Sequence, residues 1–482
     1  MVESGGTPAG KPARNGAVLA VACLAQLMVV LDVSIVNVAL PSMRDSLGLS
    51  PAGLQWVVNA YTVAFAGFLL LGGRFADLFG RRRMFLCGLV LFIAASLFGG
   101  FAQNGTWLVV ARAVQGLGGA VLAPATLTVV TTGFADPAWR TKAIGVWSAT
   151  SAAGGAVGSV IGGLLTDAAG WQWVLFVNVP LGAVILLLAL GSLTEFAPGR
   201  DRGKPDFAGA VTVTAGLAAV ILGVTQLEGH AWGSPAVLVP LLAGVLLLAA
   251  FAVAETRVPR PIVPLGIFRR GNVGPANLFA ALGGAATVAV FYFVSLLLQR
   301  VFNYDALQAG LAFLPMSVTI AAGTGISTKL LPARGPKPLL IAGGLVATAG
   351  MAWLAQCPAD GGFAADLLGP TLAIGLGMGL VMVPITAAAT AGIEPAEAGL
   401  ASGIISTTRQ FGGALGLAVL TAVAATTTAG RTGPAAETLT AGYTRAMLVG
   451  CALLLAGTLV AFLMPGRARQ AAPAEQAPAA TE

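Results

Sequence analysis

Long apolar runs without a charged residue constrain this chain more than any other feature. Residues 46–73, 84–111 and 207–227 contain no Lys, Arg, Asp or Glu. Only 9% of the 482 residues are charged and 57% are hydrophobic, whereas soluble domains are about one quarter charged. Because roughly 20 apolar residues cross a bilayer as a helix, the chain is predicted to be an all-α polytopic membrane protein. No stretch is long enough for a second, soluble catalytic domain.

Fourteen membrane-spanning helices are predicted. Their expected bounds are 17–40, 52–71, 84–103, 106–131, 141–166, 173–193, 207–227, 236–255, 274–299, 308–330, 337–356, 366–390, 399–427 and 442–464. Residues 1–16 and 465–482 are Ala-, Pro- and Gly-rich polar tails, which are expected to be disordered.

The basic residues are distributed asymmetrically between the predicted loops. Of the 26 Lys and Arg, twenty fall on the side of the two termini, four on the opposite side, and two inside helices. This asymmetry predicts that both termini are cytoplasmic. It is a topology signal, not a nucleic-acid-binding surface. The Ala- and Arg-rich, Lys-poor composition is typical of GC-rich bacteria, so we expect a multi-pass protein of a bacterial plasma membrane.

Reactive residues are too few and too scattered for an enzyme. The single histidine, His230, leaves no basis for a histidine metal site or a Ser-His-Asp triad. The four cysteines lie in or beside apolar runs without CxxC spacing. No Gly-rich run ends in the Gly-Lys-Ser/Thr of a phosphate-binding loop. We therefore expect no catalysis, cofactor or metal, and any active transport must use an ion gradient.

An internal repeat divides the chain into two related halves. Gly154, Gly155 and Gly158 recur 258 residues later as Gly412, Gly413 and Gly416. We predict a six-helix bundle at 17–193, a linker with two extra helices at 194–273, and a second six-helix bundle at 274–464. Facing, repeated bundles are the architecture of alternating-access transporters.

Five motifs in order resemble the major facilitator superfamily, and most closely its fourteen-helix drug:proton antiporter family. They are 31–41 (LDVSIVNVALP), 72–83 (GGRFADLFGRRR), 112–119 (RAVQGLGG), 171–182 (WQWVLFVNVPLG) and 307–315 (LQAGLAFLP). The glycine motif of the fifth helix lacks the Gly-Pro pair usual in antiporters. The resemblance implies a major facilitator fold that exports a lipophilic drug or antibiotic, in some cases cationic, in exchange for protons. Such a carrier is expected to be a monomer in the bilayer; the alternative is proton-coupled uptake of a small metabolite.

Asp32 and Arg112 are the candidate proton-coupling pair. Asp32 is the one carboxylate that lies well inside a predicted span, and Arg112 lies at a similar depth in the fourth helix. Burial favours the neutral carboxyl and a nearby cation favours the ionised one. A static buried ion pair that fixes helix packing is the competing interpretation.

Three further groups of residues are candidates for transport roles. Asp77 lies among arginines in a predicted loop and would bridge helices in one conformation only; the competing view is a basic loop that merely fixes topology. The gating group is Gly73, Arg74, Asp77, Gly80 and Arg81. The substrate-cavity group is Gln26, Asn37, Gln115 and Arg409, although structural pairing of Arg409 is an equal alternative. The helix-packing group is Gly154, Gly155, Gly158, Gly412, Gly413 and Gly416.

Overall fold

A computed structural model describes residues 12–134, 136–193, 206–258, 261–391, 393, 397–429 and 431–464, and these residues are organised entirely by helices. The α-helices are α1 (Pro12–Leu47), α2 (Pro51–Phe79), α3 (Arg81–Gly100), α4 (Gly105–Gly133), α5 (Pro137–Ala169), α6 (Gln172–Phe176), α7 (Asn178–Ser192), α8 (Phe207–Thr225), α9 (Pro235–Glu255), α10 (Val273–Leu296), α11 (Ala306–Ala312), α12 (Leu314–Arg334), α13 (Pro336–Leu354), α14 (Leu368–Thr390), α15 (Ala398–Ala429) and α16 (Ala435–Leu463). A π-helical turn, Leu297–Val301, continues α10.

The predicted membrane architecture is confirmed. In the described ranges, 13 helical segments are long and apolar enough to cross a bilayer, and α6–α7 and α11–α12 each count as one segment. The helix α5 supplies the fourteenth through its shorter apolar part, Val157–Ala169. The halves are α1–α7 and α10–α16, and α8 and α9 are the inserted pair.

Two predicted boundaries are wrong. The segment 72–83 was expected to be a loop, but α2 continues to Phe79 and α3 begins at Arg81. Only Gly80 breaks the helix, with φ of 98°, a conformation that glycine adopts without steric cost. At the N-terminus α1 begins at Pro12, inside the tail that was expected to be disordered. The tails 1–11 and 465–482 lie outside the described residues.

Each half repeats the same glycine-mediated packing. The helix α5 lies on α1, and a Cβ added at Gly158 would come within 2.8 Å of the Cβ of Ser34. The helix α15 lies on α10, where a Cβ at Gly416 would come within 2.2 Å of the Cβ of Ala285. Glycine therefore permits close backbone approach at equivalent places, as small residues do in membrane helix pairs.

The inserted helices differ in how they contact the bundles. Leu217 and Ile221 of α8 pack with Val63 of α2 and with Ala414 of α15, so α8 contacts both halves. The following helix α9 packs on α8 and is largely exposed. Only 11% of its most apolar stretch of residues is buried. Its surface is therefore suited to lipid contact.

The halves meet tightly at one end of the molecule. We call this the arginine-poor end, which contains the turns at Gly48, Gly170 and Asn303; the arginine-rich end contains the turns at Gly80, Gly271 and Gly335. At the arginine-poor end one apolar core includes Leu40 and Met43 of α1 together with Phe293 and Leu297 of the C-terminal half. The described conformation is therefore closed at this end.

Candidate functional site

Asp32 lies at the centre of a polar cluster inside the N-terminal half and is fully buried. Its Oδ2 atom accepts a hydrogen bond of 2.6 Å from the Arg112 guanidinium. Its Oδ1 atom accepts from the side-chain amides of Gln115 at 2.7 Å and Asn178 at 2.9 Å. The structure thus brings the two candidate proton-coupling residues into direct contact, and it surrounds the carboxylate with donors.

Arg112 is held from several sides. Its Nε–H donates to the carbonyl of Val57 at 3.3 Å, and its NH1 group also donates to Gln115 Oε1 at 2.6 Å. The guanidinium carbon lies 4.4 Å from the centroid of the Tyr61 ring, a distance typical of cation–π attraction. The cation is therefore positioned by α2 as well as by its own helix, α4.

Ser96 joins the cluster to α3. Its hydroxyl accepts from Gln115 at 3.1 Å and from Asn178 at 3.0 Å, and it donates to the carbonyl of Leu175 at 3.0 Å. The site consequently links α1, α3, α4 and α7.

The cluster places one carboxylate and one cation in contact inside the N-terminal half. All donors around Asp32 match an ionised carboxylate, and the cation of Arg112 compensates its charge. Adding a proton would remove one charge and leave Arg112 buried without a full counterion, which is costly in a low-dielectric interior. The cluster would then have to rearrange. In the described ranges no group of three or more His, Cys, Asp or Glu side chains is arranged to hold a metal ion.

The four cavity candidates lie in different environments. Gln115 is buried in the Asp32 cluster and does not line an open space. Gln26 accepts from Thr126 at 3.2 Å, and Thr126 in turn accepts from the Trp147 indole at 3.1 Å. Asn37 donates to the carbonyl of Val33, and its amide oxygen is buried without a partner. The candidates therefore do not form one cluster.

Arg409 is exposed although it lies inside the membrane-spanning helix α15. Its backbone and its Cγ pass so close to α10 that only a glycine, Gly284, fits opposite. The described contacts give its guanidinium no hydrogen bond or ion pair. A cation without a partner is expensive in lipid.

The candidate gating residues lie where α2 meets α3. Gly73 and Arg74 belong to the last turns of α2, Gly80 is the break, and Arg81 starts α3. Arg74 and Arg81 each interact with a neighbouring group. The backbone of Asp77 is helical, but its side chain lies outside the described part of the structure. Its bridging role stays a prediction.

Sequence reasoning did not assign Ser96, Asn178 or Tyr61 to this site. Ser96 and Asn178 are isolated polar residues in apolar segments. Polar residues inside a membrane need a hydrogen-bond partner. Their isolation in apolar segments is therefore the sequence feature that could have identified them as members of a polar cluster. Tyr61 gave none, because an aromatic residue in an apolar helix is ordinary core.

Comparisons with known proteins agree with this architecture. The family model of the Major Facilitator Superfamily matches residues 22–417. The cephamycin export protein CmcT of Amycolatopsis lactamdurans is 43% identical over 382 residues, which cover 78% of this chain and 78% of that protein. The puromycin resistance protein pur8 of Streptomyces alboniger is 42% identical over 383 residues, which cover 78% of this chain and 75% of that protein.

Solved structures share the fold at lower sequence identity. A bacterial homologue of the human lysosomal transporter Spinster, in an inward-facing and unoccupied conformation, matches with a TM-score of 0.65 and 18% identity over 94% of this chain and 98% of that chain. A D-xylose-proton symporter matches with a TM-score of 0.65 and 15% identity over 94% and 98%. At these identities the likeness concerns the fold alone.

Proposed function

Because the chain belongs to the Major Facilitator Superfamily, we propose that it exports a lipophilic drug or antibiotic from a bacterial cell in exchange for protons. Relatives more than 40% identical over about three quarters of their length are an export protein and a resistance protein for antibiotics. The observation that carries the coupling to protons is the buried cluster of Asp32, Arg112, Gln115 and Asn178. A single chain supplies both halves, so the working unit is a monomer.

The arginine-rich end faces the cytoplasm in this proposal. The charge asymmetry of the loops supports that orientation, and the apolar core closes the opposite end. The described conformation is then one that receives substrate from the cytoplasmic side. Arg409, Gln26 and Asn37 are the polar side chains that an amphipathic compound would meet in this proposal, although they lie in different environments.

The exchange cycle follows from the charge balance at Asp32. The ionised carboxylate is stable in its ring of donors while the arginine-poor end is closed. A proton taken from outside neutralises it, weakens its hold on Arg112, and favours the alternative arrangement of α1 and α4. Release of that proton to the cytoplasm restores the cluster. A cationic substrate competes with the proton for the same carboxylate.

The segment from Gly73 to Arg81 acts as the gate at the cytoplasmic end in this scheme. The α2–α3 connection is a single residue, Gly80, so a movement of α2 is passed directly to α3. Asp77 would pair with neighbouring arginines when this end is closed and release them when it opens. Gly80, at φ of 98°, serves as the hinge.

The proposal is tested with Asp32→Asn in proteoliposomes that carry an imposed proton gradient. Asparagine keeps the size and one acceptor oxygen but cannot be ionised, so drug should bind while gradient-driven accumulation and substrate-induced proton release are lost. The matched control is Asp360→Asn, which neutralises an exposed carboxylate in a loop. Full proton-coupled export by Asp32→Asn would refute the assignment. Accumulation in intact energised cells, where export predicts depletion, would favour uptake instead.

A further inference from the structure

A proline in α1 leaves one carbonyl group free near the closed end. Pro41 lies inside the helix, and it has no N–H to donate to the carbonyl of Asn37, four residues earlier. The free oxygen is not left unpaired, because the Ser295 hydroxyl of α10 donates to it at 2.9 Å. The two residues belong to different halves. The Asn37 carbonyl, which has no helical partner, therefore accepts a hydrogen bond from the opposite bundle.

The π-helical turn Leu297–Val301 adds two more donors. Gln299 donates its amide to the carbonyl of Val38 at 3.0 Å, and Arg300 donates to the carbonyl of Pro41 at 3.1 Å. Arg300 also pairs with the carboxylate of Asp45. Such a turn forms bonds between residues five apart and often marks a functional position. Here it directs Ser295 and Arg300, which are five residues apart, towards the same helix.

The donors are held in place by their own surroundings. Gln299 also donates to the Ser295 hydroxyl at 3.1 Å, so the two side chains support each other. After the turn, Asn303 adopts a positive φ of 56°. Asp305 and Gln308 then form a capping box that begins α11. These contacts within the C-terminal half hold the end of α10 in the position from which it contacts α1.

We propose that Ser295, Gln299 and Arg300 form a latch that holds α10 to three carbonyls of α1, one of which Pro41 frees, whenever the arginine-poor end is closed. We call these three residues the carbonyl latch. They are positioning residues, since they act through α1. Asp32 lies nine residues before Pro41 on the same helix, roughly 13 Å along its axis, so rearrangement at Asp32 is passed to the latch. This step rests on the proposed export cycle.

Water is available to replace the latch when it opens. A cavity of about 640 Å³ at this end is lined by Pro41, Asp45, Gln299 and Arg300. The freed carbonyls can bind water from that cavity, so each hydrogen bond contributes only its modest net value. The latch therefore biases the equilibrium between closed and open states without trapping either one. A carrier that must cycle needs a contact of this strength.

Distances between two spin labels at this end test the latch directly. Labels at Ser46 and Gln356, which lie in different halves and are exposed, are introduced after replacing the four cysteines with alanine. Ser295→Ala and Arg300→Ala should each move the population towards the longer distance, roughly fivefold per hydrogen bond lost. Arg445→Ala, an exposed arginine of α16, is the control and should leave the distribution unchanged. Parental distributions in both latch variants would overturn the proposal.

A double-mutant comparison separates the latch from general packing. Pro41→Ala returns an N–H to the Asn37 carbonyl, which then shares that oxygen with the Ser295 hydroxyl and weakens its hydrogen bond. Adding Ser295→Ala to Pro41→Ala should then cause a smaller shift than Ser295→Ala alone, whereas fully additive shifts would contradict the latch. If the Arg300→Ala protein is not produced in folded form, Ser295→Ala, which removes only one side-chain oxygen, gives the same comparison of label distances. If the latch variants change the distances but the parental protein exports no drug, the latch is supported and the export proposal is refuted. If the latch variants lose export while their distances stay parental, the latch proposal is overturned and the export proposal stands.

Discussion

At the residue scale, Asp32 is distinguished by its surroundings, because both of its carboxylate oxygens have a hydrogen-bond donor in the interior. Removing one partner of a buried ion pair costs about 3–5 kcal/mol, since the other charge is left uncompensated. In the proposed cycle, protonation of Asp32 has the same electrostatic effect on Arg112 as removing a partner, and it is reversible. This property distinguishes Asp32 from carboxylates such as Asp45, which is exposed.

Burial and the neighbouring Asp366 carboxylate raise the pKa of the Cys357 thiol from 9.0 to about 11. Cys357 lies in the connection after α13, outside the membrane-spanning segments. The thiolate is the reactive form, so alkylation at neutral pH should be roughly a hundredfold slower than that of a thiol with the pKa of 9.0. Mass spectrometry of the folded protein after timed maleimide treatment measures this rate.

The pH dependence has a defined sign. Because the folded-state pKa lies above the reference value, the stabilising contribution of this group is present below about pH 9 and is lost as pH rises towards 11. Asp366→Asn should lower the pKa and speed alkylation at pH 9. Asp360→Asn, in the same connection, is the control. A parental rate in Asp366→Asn would contradict the electrostatic contribution of that carboxylate.

The sequence predicted the two charged members of the site better than its neutral members. Charged residues inside apolar runs are rare, so Asp32 and Arg112 stood out, and their similar depths allowed a contact. Gln115 was assigned to the substrate cavity, because the direction of a neutral amide depends on which helices surround it. Ser96 and Asn178 lie beside Asp32 only because the helices pack together, and the contacting residues are up to 146 positions apart in the sequence. No local sequence pattern predicts such a contact.

At the element scale, Gly158 fixes how closely α5 approaches the helix that carries Asp32. A Cβ in Gly158→Ala would lie 2.8 Å from the Cβ of Ser34 and 2.9 Å from the carbonyl oxygen of Leu31. The helices must separate to admit it, and overpacking of this kind costs roughly 1–3 kcal/mol. We expect a lower thermal unfolding temperature in detergent and reduced export.

Gly155→Ala is the matched control on the same helix. The nearest atom to its added Cβ, Ser34 Oγ, would be 3.8 Å away, an ordinary contact. Alanine also favours helix more than glycine does, so stability should be equal or slightly higher. Equal unfolding temperatures in the two variants would show that the α1–α5 contact is looser than described.

Charge did not mark the boundary between α2 and α3. The arginines of segment 72–83 suggested a cytoplasmic loop, whereas α2 continues past Arg74 to Phe79 and Arg81 already begins α3. Hydropathy reports where a helix leaves the bilayer, not where its hydrogen bonding stops. The capping box of Asp305 and Gln308 is readable from the sequence, because the Asp-x-x-Gln pattern is local and its donors lie within one turn.

At the scale of the whole molecule, the repeat predicted the architecture but not its conformational state. The offset of 258 residues placed Gly158 and Gly416 in equivalent positions, and both mediate the same kind of helix pair. Closure at the arginine-poor end depends instead on contacts between halves, such as those of Ser295 and Gln299 with α1.

The membrane orientation is the last prediction, and it tests the span count at the same time. Lys and Arg resist translocation and accumulate on the cytoplasmic side, so the arginine-rich end and both termini should be cytoplasmic. A reporter active only outside the cytoplasm should be silent when fused after Asp206, active after His230, and silent after residue 466. The first two positions flank α8 alone, so a change of signal between them establishes that α8 crosses the membrane. Equal signals after Asp206 and His230 would remove α8 and α9 as spans, and activity after residue 466 with silence after His230 would invert the protein.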